Sequence, residues 1–333
     1  MKKILLLVLS FILICFAIPI IFTTRRIDKV NAQTTENKKV SGLSKSTYDY
    51  KKYNTIKLYH KSTKKVENIK LDEYLYGVVS AEMPASFEKE ALKAQAVVAR
   101  TYTLYKIVNN NKKHDKADIC DDPGCCQAWI SKNDRVSKWD KENREEYWKK
   151  IVEAVNDTQG KIVTYNGKPI NAFFHANSGG ATEAPVNVWG GTGLPYLQTV
   201  TTAGEDAYSQ YNSKVSITKK EFESKIKEEH SDFKINYKEK DCIKIEEYTE
   251  GNRVKTIKIG NLKLSGVEIR SIFSLRSANF KVSLDEKNIK FEVLGYGHGV
   301  GMSQTGADSL AKSGKNYEDI IHHYYKNVKI ENM

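Results

Sequence analysis

The chain has 333 residues, 40% of them hydrophobic and 28% charged, with a formal net charge of +12, enough for one large globular domain or two smaller ones. Residues 1–70 hold 15 Lys and Arg against 4 Asp and Glu, so +11 sits there and +1 remains for residues 71–333. A nearly neutral body removes the support for nucleic-acid binding, and the basic N-terminal part reads as a solvated segment able to touch anionic lipid or polymer.

Residues 4–22 are apolar without a charge, a run that would span about 28 Å as a helix and so predicts a membrane segment over residues 1–22. Lys2 and Lys3 also suit a secretory signal, with Val30, Asn31 and Ala32 as a cleavage site. The length of the run and the charged Arg25, Arg26, Asp28 and Lys29 after it favour an uncleaved anchor. Ile14 before Cys15 argues against a lipoprotein signal. Flanking charges are balanced and leave orientation open, while the later features favour an exported body. Residues 23–53, rich in Lys, Asn, Ser and Thr, predict a flexible basic linker.

The body is expected over residues 54–333. Residues 55–60 alternate as a strand does, and 66–71 are a weaker second strand. Residues 71–83 turn helical, with Leu75, Val78 and Val79 on one face, until Pro84 interrupts. The clearest helix covers 88–109, where Ala91, Ala94, Val98, Tyr102, Tyr105 and Val108 form a buried stripe. Lys93 and Arg100 lie seven apart off that stripe, able to face solvent or a ligand together. Helical pattern returns at 142–158. Residues 161–165 and 169–175 around Asn166-Gly167 predict a hairpin. Residues 218–229 and 317–326 predict helices, and Thr218 with Glu221 has the form of a capping box. Residues 242–249, 253–259 and 280–284 predict strands. With no internal repeat, the fold class is α+β, mixed helices and antiparallel strands forming a groove.

Four patches place reactive residues where packing does not require them. Glu82 ends an apolar helix directly before Met83 and Pro84, where apolar neighbours would keep its carboxyl protonated near neutral pH; an ordinary surface Glu is the alternative. His175 to Thr182 contains Ser178, Gly179 and Gly180, a loop whose backbone amides can approach a ligand. Residues 295–307 are dense in glycine and carry His298, Ser303 and Gln304. Neither loop fits the dinucleotide fingerprint or the nucleophile elbow, and a structural turn is an equal reading of each. Finally, His114, Cys120, Cys125 and Cys126 lie within thirteen residues. They can close a tetrahedral zinc shell, with no open position for water and hence a structural role. A disulfide from Cys120 to Cys125 or Cys126 is the rival in an exported protein. No H-E-x-x-H motif supports a zinc peptidase.

Together these segments resemble the stage II sporulation protein D family, which also includes amidase-enhancer proteins of the cell wall. The matching stretches are Tyr74-Leu75, Gly77-Val78-Val79, Glu82-Met83-Pro84, Ala91 to Ala96, Ala99-Arg100-Thr101-Tyr102, Asp118-Ile119-Cys120, Cys126-Gln127, Ser178-Gly179-Gly180 and Gly297 to Gln304. They span roughly residues 54–330 in the family's order. The resemblance implies a membrane-anchored lytic transglycosylase facing the wall from the extracytoplasmic side of the mother-cell membrane. It would act on peptidoglycan glycan strands during forespore engulfment, with a wall amidase and other engulfment proteins as partners. It implies Glu82 as the catalytic acid and base, and Arg100, His175, Ser178, Tyr196, His298 and Gln304 as substrate-binding residues. No cofactor is needed for that chemistry; zinc is expected to be structural. Family members often carry His beside the second cysteine where this chain has Cys125, a departure that changes a ligand type. The rival functions are a non-catalytic wall-binding amidase enhancer and a zinc hydrolase.

Overall fold

The computed structural model describes residues 45–110, 113–114 and 116–333. The predicted membrane segment and residues 23–44 of the linker lie outside the described residues. Among those described, no helix is long and apolar enough to cross a membrane. Residues 45–53, expected as free linker, instead dock on the body. Lys45 bridges Asn332 in parallel, and Ser46 N–H donates to the Asn332 carbonyl at 2.7 Å. Tyr48, Tyr50 and Tyr53 pack on Leu104, Ile162 and Met333. Three tyrosines supply apolar area that the surrounding Lys and Ser disguise in composition.

The fold is α+β with mostly antiparallel pairing. β1 (Thr55–His60) and β2 (Lys65–Lys70) form a hairpin that leads into α1 (Leu71–Glu82). Asp72 and Glu73 sit in the first turn of α1, where the helix dipole favours negative charge. The helix stops at Glu82 for a local reason. A residue before proline is excluded from helical dihedrals, and Met83, before Pro84, is extended at φ −121° and ψ 143°. The chain re-enters a helix as α2 (Lys89–Val108), whose alanine-rich surface is buried on nearly every side. β3 (Ile119–Cys120) then returns to pair with β1 in parallel.

Next come α3 (Lys132–Ser137), capped by Ser131, and α4 (Arg144–Asn156). β4 (Lys161–Tyr165) turns through Asn166 and Gly167, both at positive φ, into the short β5 (Lys168–Pro169). The second arm of this hairpin ends there, earlier than the pattern predicts, because Pro169 brings no N–H to the ladder. Residues 174–175 become β6 (Phe174–His175) and find a partner far along the chain, as described below. α5 (Pro185–Trp189) follows.

A self-contained module occupies residues 212–294. It comprises β7 (Asn212–Thr218), α6 (Lys219–Glu229), β8 (Ile243–Tyr248), β9 (Val254–Ile259), β10 (Leu262–Ser265), α7 (Gly266–Ile272), β11 (Asn279–Leu284) and β12 (Asn288–Leu294). These build two three-stranded sheets, ordered β11-β12-β7 and β10-β9-β8, antiparallel throughout. Its apolar cluster includes Phe222, Ile226, Phe273, Phe280 and Phe291, with the Phe222 and Phe273 rings stacked at 5.0 Å. Each such buried side chain contributes roughly 1.5–3 kcal/mol over exposure. The chain closes through β13 (Met302–Ser303), parallel to β6, then α8 (Gln304–Lys312), α9 (Tyr317–Tyr324) and β14 (Lys329–Asn332), which pairs with β4. Helix α8 arises inside what reads in sequence as a glycine loop; Ser303 caps it by accepting from Gly306 N–H.

Arg100 departs from its expected place beside a ligand. Its side chain is 0% exposed. Nη1 donates to the Thr158 and Lys161 carbonyls at 2.8 and 3.2 Å, Nη2 to the Val155 carbonyl at 3.3 Å, and Asp72 lies 3.5 Å away. The guanidinium thus satisfies carbonyls left over at the C-terminal end of α4, where the dipole favours a cation. The seven-residue spacing with Lys93 holds, but the line it defines faces α4 rather than solvent: Lys93 also pairs with Asp157 beyond that helix. Arg100→Met strands these carbonyls and Asp72, and is expected to cost about 3–5 kcal/mol in urea denaturation. A variant of unchanged stability would contradict a structural role.

Candidate active site

Glu82 lies at the last turn of α1, and its carboxyl group meets donors from two other parts of the chain. Ala128 N–H donates to Oε1 at 2.6 Å, and Gln304 Nε2 donates to Oε2 at 3.1 Å. Burial pushes its pKa up from the ordinary Glu value, and outweighs the two donors, which pull it down. The group therefore keeps its proton to higher pH than a solvated glutamate.

Each donor is held by buried hydrogen bonds. Gln127, next to Ala128, donates to Tyr74 Oη of α1 at 2.9 Å and to Thr103 Oγ1 of α2 at 3.0 Å, which pins the segment between β3 and α3 against both helices. Gln304 is the first residue of α8, and Asp308 one turn on fixes that helix to the far side of Glu82. Asp308 accepts from Glu88 N–H at 2.6 Å and from Tyr208 Oη at 2.7 Å, and pairs with Lys312 at 2.8 Å. The Met83–Pro84 break thus has a fixed point on either side.

The two glycine-bearing loops come together as one body. Asn177 and Tyr296 form an antiparallel bridge. Gly179 and Gly295, at φ 70° and 79°, approach so closely that a Cβ on either would meet the other strand's backbone within about 3 Å. At their centre is Glu205, 1% exposed. Its carboxylate accepts from Ser178 N–H at 2.9 Å, Gly180 N–H at 3.0 Å, Thr202 Oγ1 at 2.5 Å and the Ser303 hydroxyl. A buried charge persists when its acceptor sites are filled in this way.

Of the residues expected to bind substrate, only Gln304 touches Glu82. His175 Nδ1 faces the Val300 carbonyl at 3.2 Å and must therefore carry the proton; Ser178 Oγ accordingly donates to Nε2 at 2.9 Å. Ser178 is fully buried, so this pair locks the loop. Burial pulls the His175 pKa well below 6.5 and that of His298 down to about 3, leaving both rings neutral at physiological pH. His298 packs among His175, Phe173 and Trp189 and faces a cleft beside the module; Glu82 is not among that cleft's lining residues. Tyr196 is buried against Tyr165, accepts from Asn171 N–H at 3.0 Å, and has its pKa raised by burial to about 12. Ala128, Glu205 and Asp308 are absent from the sequence reading. A backbone N–H leaves no signature in sequence, and a carboxylate in Gly204-Glu205-Asp206 looks like any polar turn.

Among the cysteine patch, the ligand atoms of His114, Cys120 and Cys125 lie within 4.8 Å of one another. Cys125 Sγ is 3.9 Å from His114 Nε2 and 3.7 Å from Cys126 Sγ. The cysteines at 120, 125, 126 and 242 are free thiols, so neither rival disulfide is formed. Sulfurs around tetrahedral zinc are separated by about 3.8 Å, given bonds of about 2.3 Å. His114, Cys120 and Cys125 fit that ion, Cys126 stands outside the group although its Sγ is 3.7 Å from that of Cys125, and Tyr59 stacked on His114 at 4.2 Å orients the imidazole.

The family model for Stage II sporulation protein matches residues 59–165. Over 278 residues the chain is 37% identical to stage II sporulation protein D of Bacillus subtilis (strain 168), covering 83% of this chain and 78% of that protein. The chain belongs to the stage II sporulation protein D family. The protein of that name from Bacillus amyloliquefaciens is also 37% identical over 278 residues, with the same coverage. An amidase enhancer of Bacillus subtilis (strain 168) is 28% identical over 302 residues, 75% of this chain and 39% of that protein. In this sporulation protein D homologue, the matched segment holds Glu82, Ala128 and the cysteine patch, while Gln304 and both glycine loops lie beyond it.

A carboxyl whose pKa is higher folded than unfolded contributes stability that is fully present below the unfolded value and lost as pH rises through the folded one. Glu82→Gln is therefore expected to raise Tm at about pH 7, with the gain shrinking towards about pH 4 as the wild-type group protonates in both states. Thermal scans showing a pH-independent difference would contradict a desolvated carboxyl.

Proposed function

We propose that this protein is a lytic transglycosylase that cuts the bond between N-acetylmuramic acid and N-acetylglucosamine in peptidoglycan glycan strands. The reading is carried by one observation: a desolvated Glu82 carboxyl whose hydrogen-bond partners are an amide N–H and a carboxamide, with no second carboxylate among them. Hydrolysing a glycoside ordinarily takes two carboxyl groups, one to protonate the leaving oxygen and one to activate water or attack the sugar. Intramolecular transfer takes one.

Ala128 N–H holds Oε1 at 2.6 Å and the Gln304 carboxamide holds Oε2 at the longer 3.1 Å, so the proton is assigned to the more weakly held Oε2. Protonated Glu82 gives it to the glycosidic oxygen as the C1–O bond breaks. The resulting carboxylate, steadied by Gln304, takes the proton of the muramic acid 6-hydroxyl as O6 closes on C1. The product is a 1,6-anhydro sugar, Glu82 ends protonated as it began, and no water is consumed.

Zinc held by His114, Cys120 and Cys125, with Cys126 moving in as the fourth ligand, would supply structure rather than chemistry, because a shell closed by four protein ligands leaves no open position. Its place in the chain gives it a purpose: Cys126 is two residues from Ala128, so the ion would stiffen the loop that presents the N–H to Glu82. The relatives' names support a role in sporulation, and we assign the proposed activity to forespore engulfment. There an N-terminal anchor would hold the body on the extracytoplasmic face of the mother-cell membrane, working with a wall amidase and other engulfment proteins. The likeness to an amidase enhancer supports a second reading, a wall-binding module that stimulates an amidase without cutting glycan.

Mass spectrometry of products from purified glycan strands separates the two. The wild type is expected to release 1,6-anhydro ends and Glu82→Gln to lose roughly 10²–10⁴-fold in rate. Strand binding and amidase stimulation with no anhydro product would establish the enhancer instead. Elemental analysis is expected to find about one zinc per chain, lost in Cys120→Ser together with a fall in Tm. A zinc hydrolase would instead lose activity on chelation while staying folded.

A further inference from the structure

The N–H that binds Glu82 comes from Ala128, a residue whose two chain neighbours are both anchored to helices. On the preceding side Gln127 donates to Tyr74 Oη of α1 and to Thr103 Oγ1 of α2. On the following side the half-buried Trp129 indole lies against α1 at Gly77. A Cβ on Gly77 would run into Trp129 Nε1, and would meet Trp129 Cδ1 at 2.6 Å and the Ile130 carbonyl oxygen at 2.8 Å. Tyr74 and Gly77 are three apart and share a face of α1, about one and a half turns before Glu82. Gly77 sits in a helix interior, where glycine is unfavourable beside alanine. The close approach of the ring is what requires it there.

The ring is braced from another side as well. His60 packs edge-on against it, with centroids 5.2 Å apart. His60 in turn sits between two carboxylates, its Nδ1 3.1 Å from Asp121 Oδ2 and its Nε2 2.9 Å from Glu67 Oε2. Strands β1 and β2, with the residue that follows β3, therefore hold the histidine that holds the indole. The indole N–H is buried with no hydrogen-bond partner among the described residues. A buried donor left unpaired is unfavourable, and a folded chain keeps one only where another requirement overrides it. Here the unpaired nitrogen is the atom that lies nearest the missing Gly77 side chain. A ring seated this closely on a helix fixes the backbone that carries it. The N–H one residue back is the one aimed at Glu82 Oε1 at 2.6 Å.

We infer that Trp129 is a positioning residue: seated on Gly77 and braced by His60, it sets the Ala128 N–H against the Glu82 carboxyl group. The inference rests on the transglycosylase reading for its reaction, though not for the hydrogen bond itself. In that reaction Glu82 alternates between acid and carboxylate, and the Ala128 N–H steadies the charged form. Without the indole the N–H drifts from Oε1 and the carboxylate loses a donor, while the burial that favours the protonated form remains. The acid then gives up its proton less readily. The groups that face the carboxyl are an amide N–H and a carboxamide, neither of them charged, so no ionic neighbour offsets the change.

Rates of anhydro-sugar release from purified glycan strands, measured against pH with full-length Trp129→Ala protein, test this. Per folded molecule, kcat is expected to fall roughly 10–10²-fold with KM within about twofold of the wild type. The alkaline limb of kcat, where Glu82 loses its proton, should move to higher pH. Gly77→Ala keeps the indole but closes its seat, and should reproduce both effects. Trp129→Phe, a flat ring without the unpaired N–H, should restore most of the rate. NMR titration of isotopically labelled glutamate carboxyls, with the Glu82 signal identified by its loss in Glu82→Gln, should show the same upward move in Trp129→Ala without any substrate. A rise in KM alone would make Trp129 a substrate contact. A lowered Tm with the alkaline limb and the Glu82 titration unmoved would leave it a packing residue. Either result overturns the assignment. If the wild type releases no anhydro sugar, the transglycosylase reading fails, while the NMR titration still decides the role of Trp129.

Discussion

The buried Glu205 carboxylate is the interaction on which the site depends. It gathers backbone N–H groups from Ser178 and Gly180 and hydroxyls from Thr202 and Ser303, uniting segments that are far apart in the chain. An ionised carboxylate away from water is tolerated only when its acceptor capacity is filled. Filling it with donors from both loops makes their relative position a condition of folding. Because Gln304 follows Ser303 directly, the same clamp sets where the carboxamide reaches Glu82. The polar density of the two glycine stretches is then explained without asking each polar residue to meet a substrate.

Glu82 itself owes its place to simpler rules. Pro84 forbids Met83 a helical conformation, so the helix ends one residue earlier with its carboxyl group on the final turn. The next helix begins at Lys89, and Asp308 receives the Glu88 N–H that this restart leaves without a helical partner. On the other flank Gln127, anchored to Tyr74 and Thr103, leaves Ala128 N–H aimed at Oε1. A carboxyl on a helix end is ordinarily mobile. Here both oxygens are held, while burial raises the proton affinity of the group they belong to.

Much of this was legible beforehand where local physics decides the outcome. The α1 and α2 pattern, the Asn166-Gly167 turn, the Thr218 cap and three strands of the module, β8, β9 and β11, follow from periodicity and turn chemistry, whereas β7, β10 and β12 are absent from the sequence reading. The misread places are those where distant residues decide. Arg100 looks like an exposed cation until α4 brings its leftover carbonyls, and residues 174–175 look like part of a hairpin until Met302 and Ser303 pair with them. Helix α8 hides behind Gly306, and residues 45–53 hide their tyrosines in a polar context. Glu82 and Gln304 were nameable from the family resemblance. Their contact, through Ala128 as well, was not.

The pairing of Asn212 with Leu294 places the two ends of the module side by side. To the rest of the chain, a stretch of some eighty residues therefore counts as a short connection, so the entropy of joining β6 to β13 is far below what their separation implies. The module has its own apolar cluster, and the two halves of the site are joined over a small remaining span. The same geometry means that a change in the length of the module leaves Glu82 where it is.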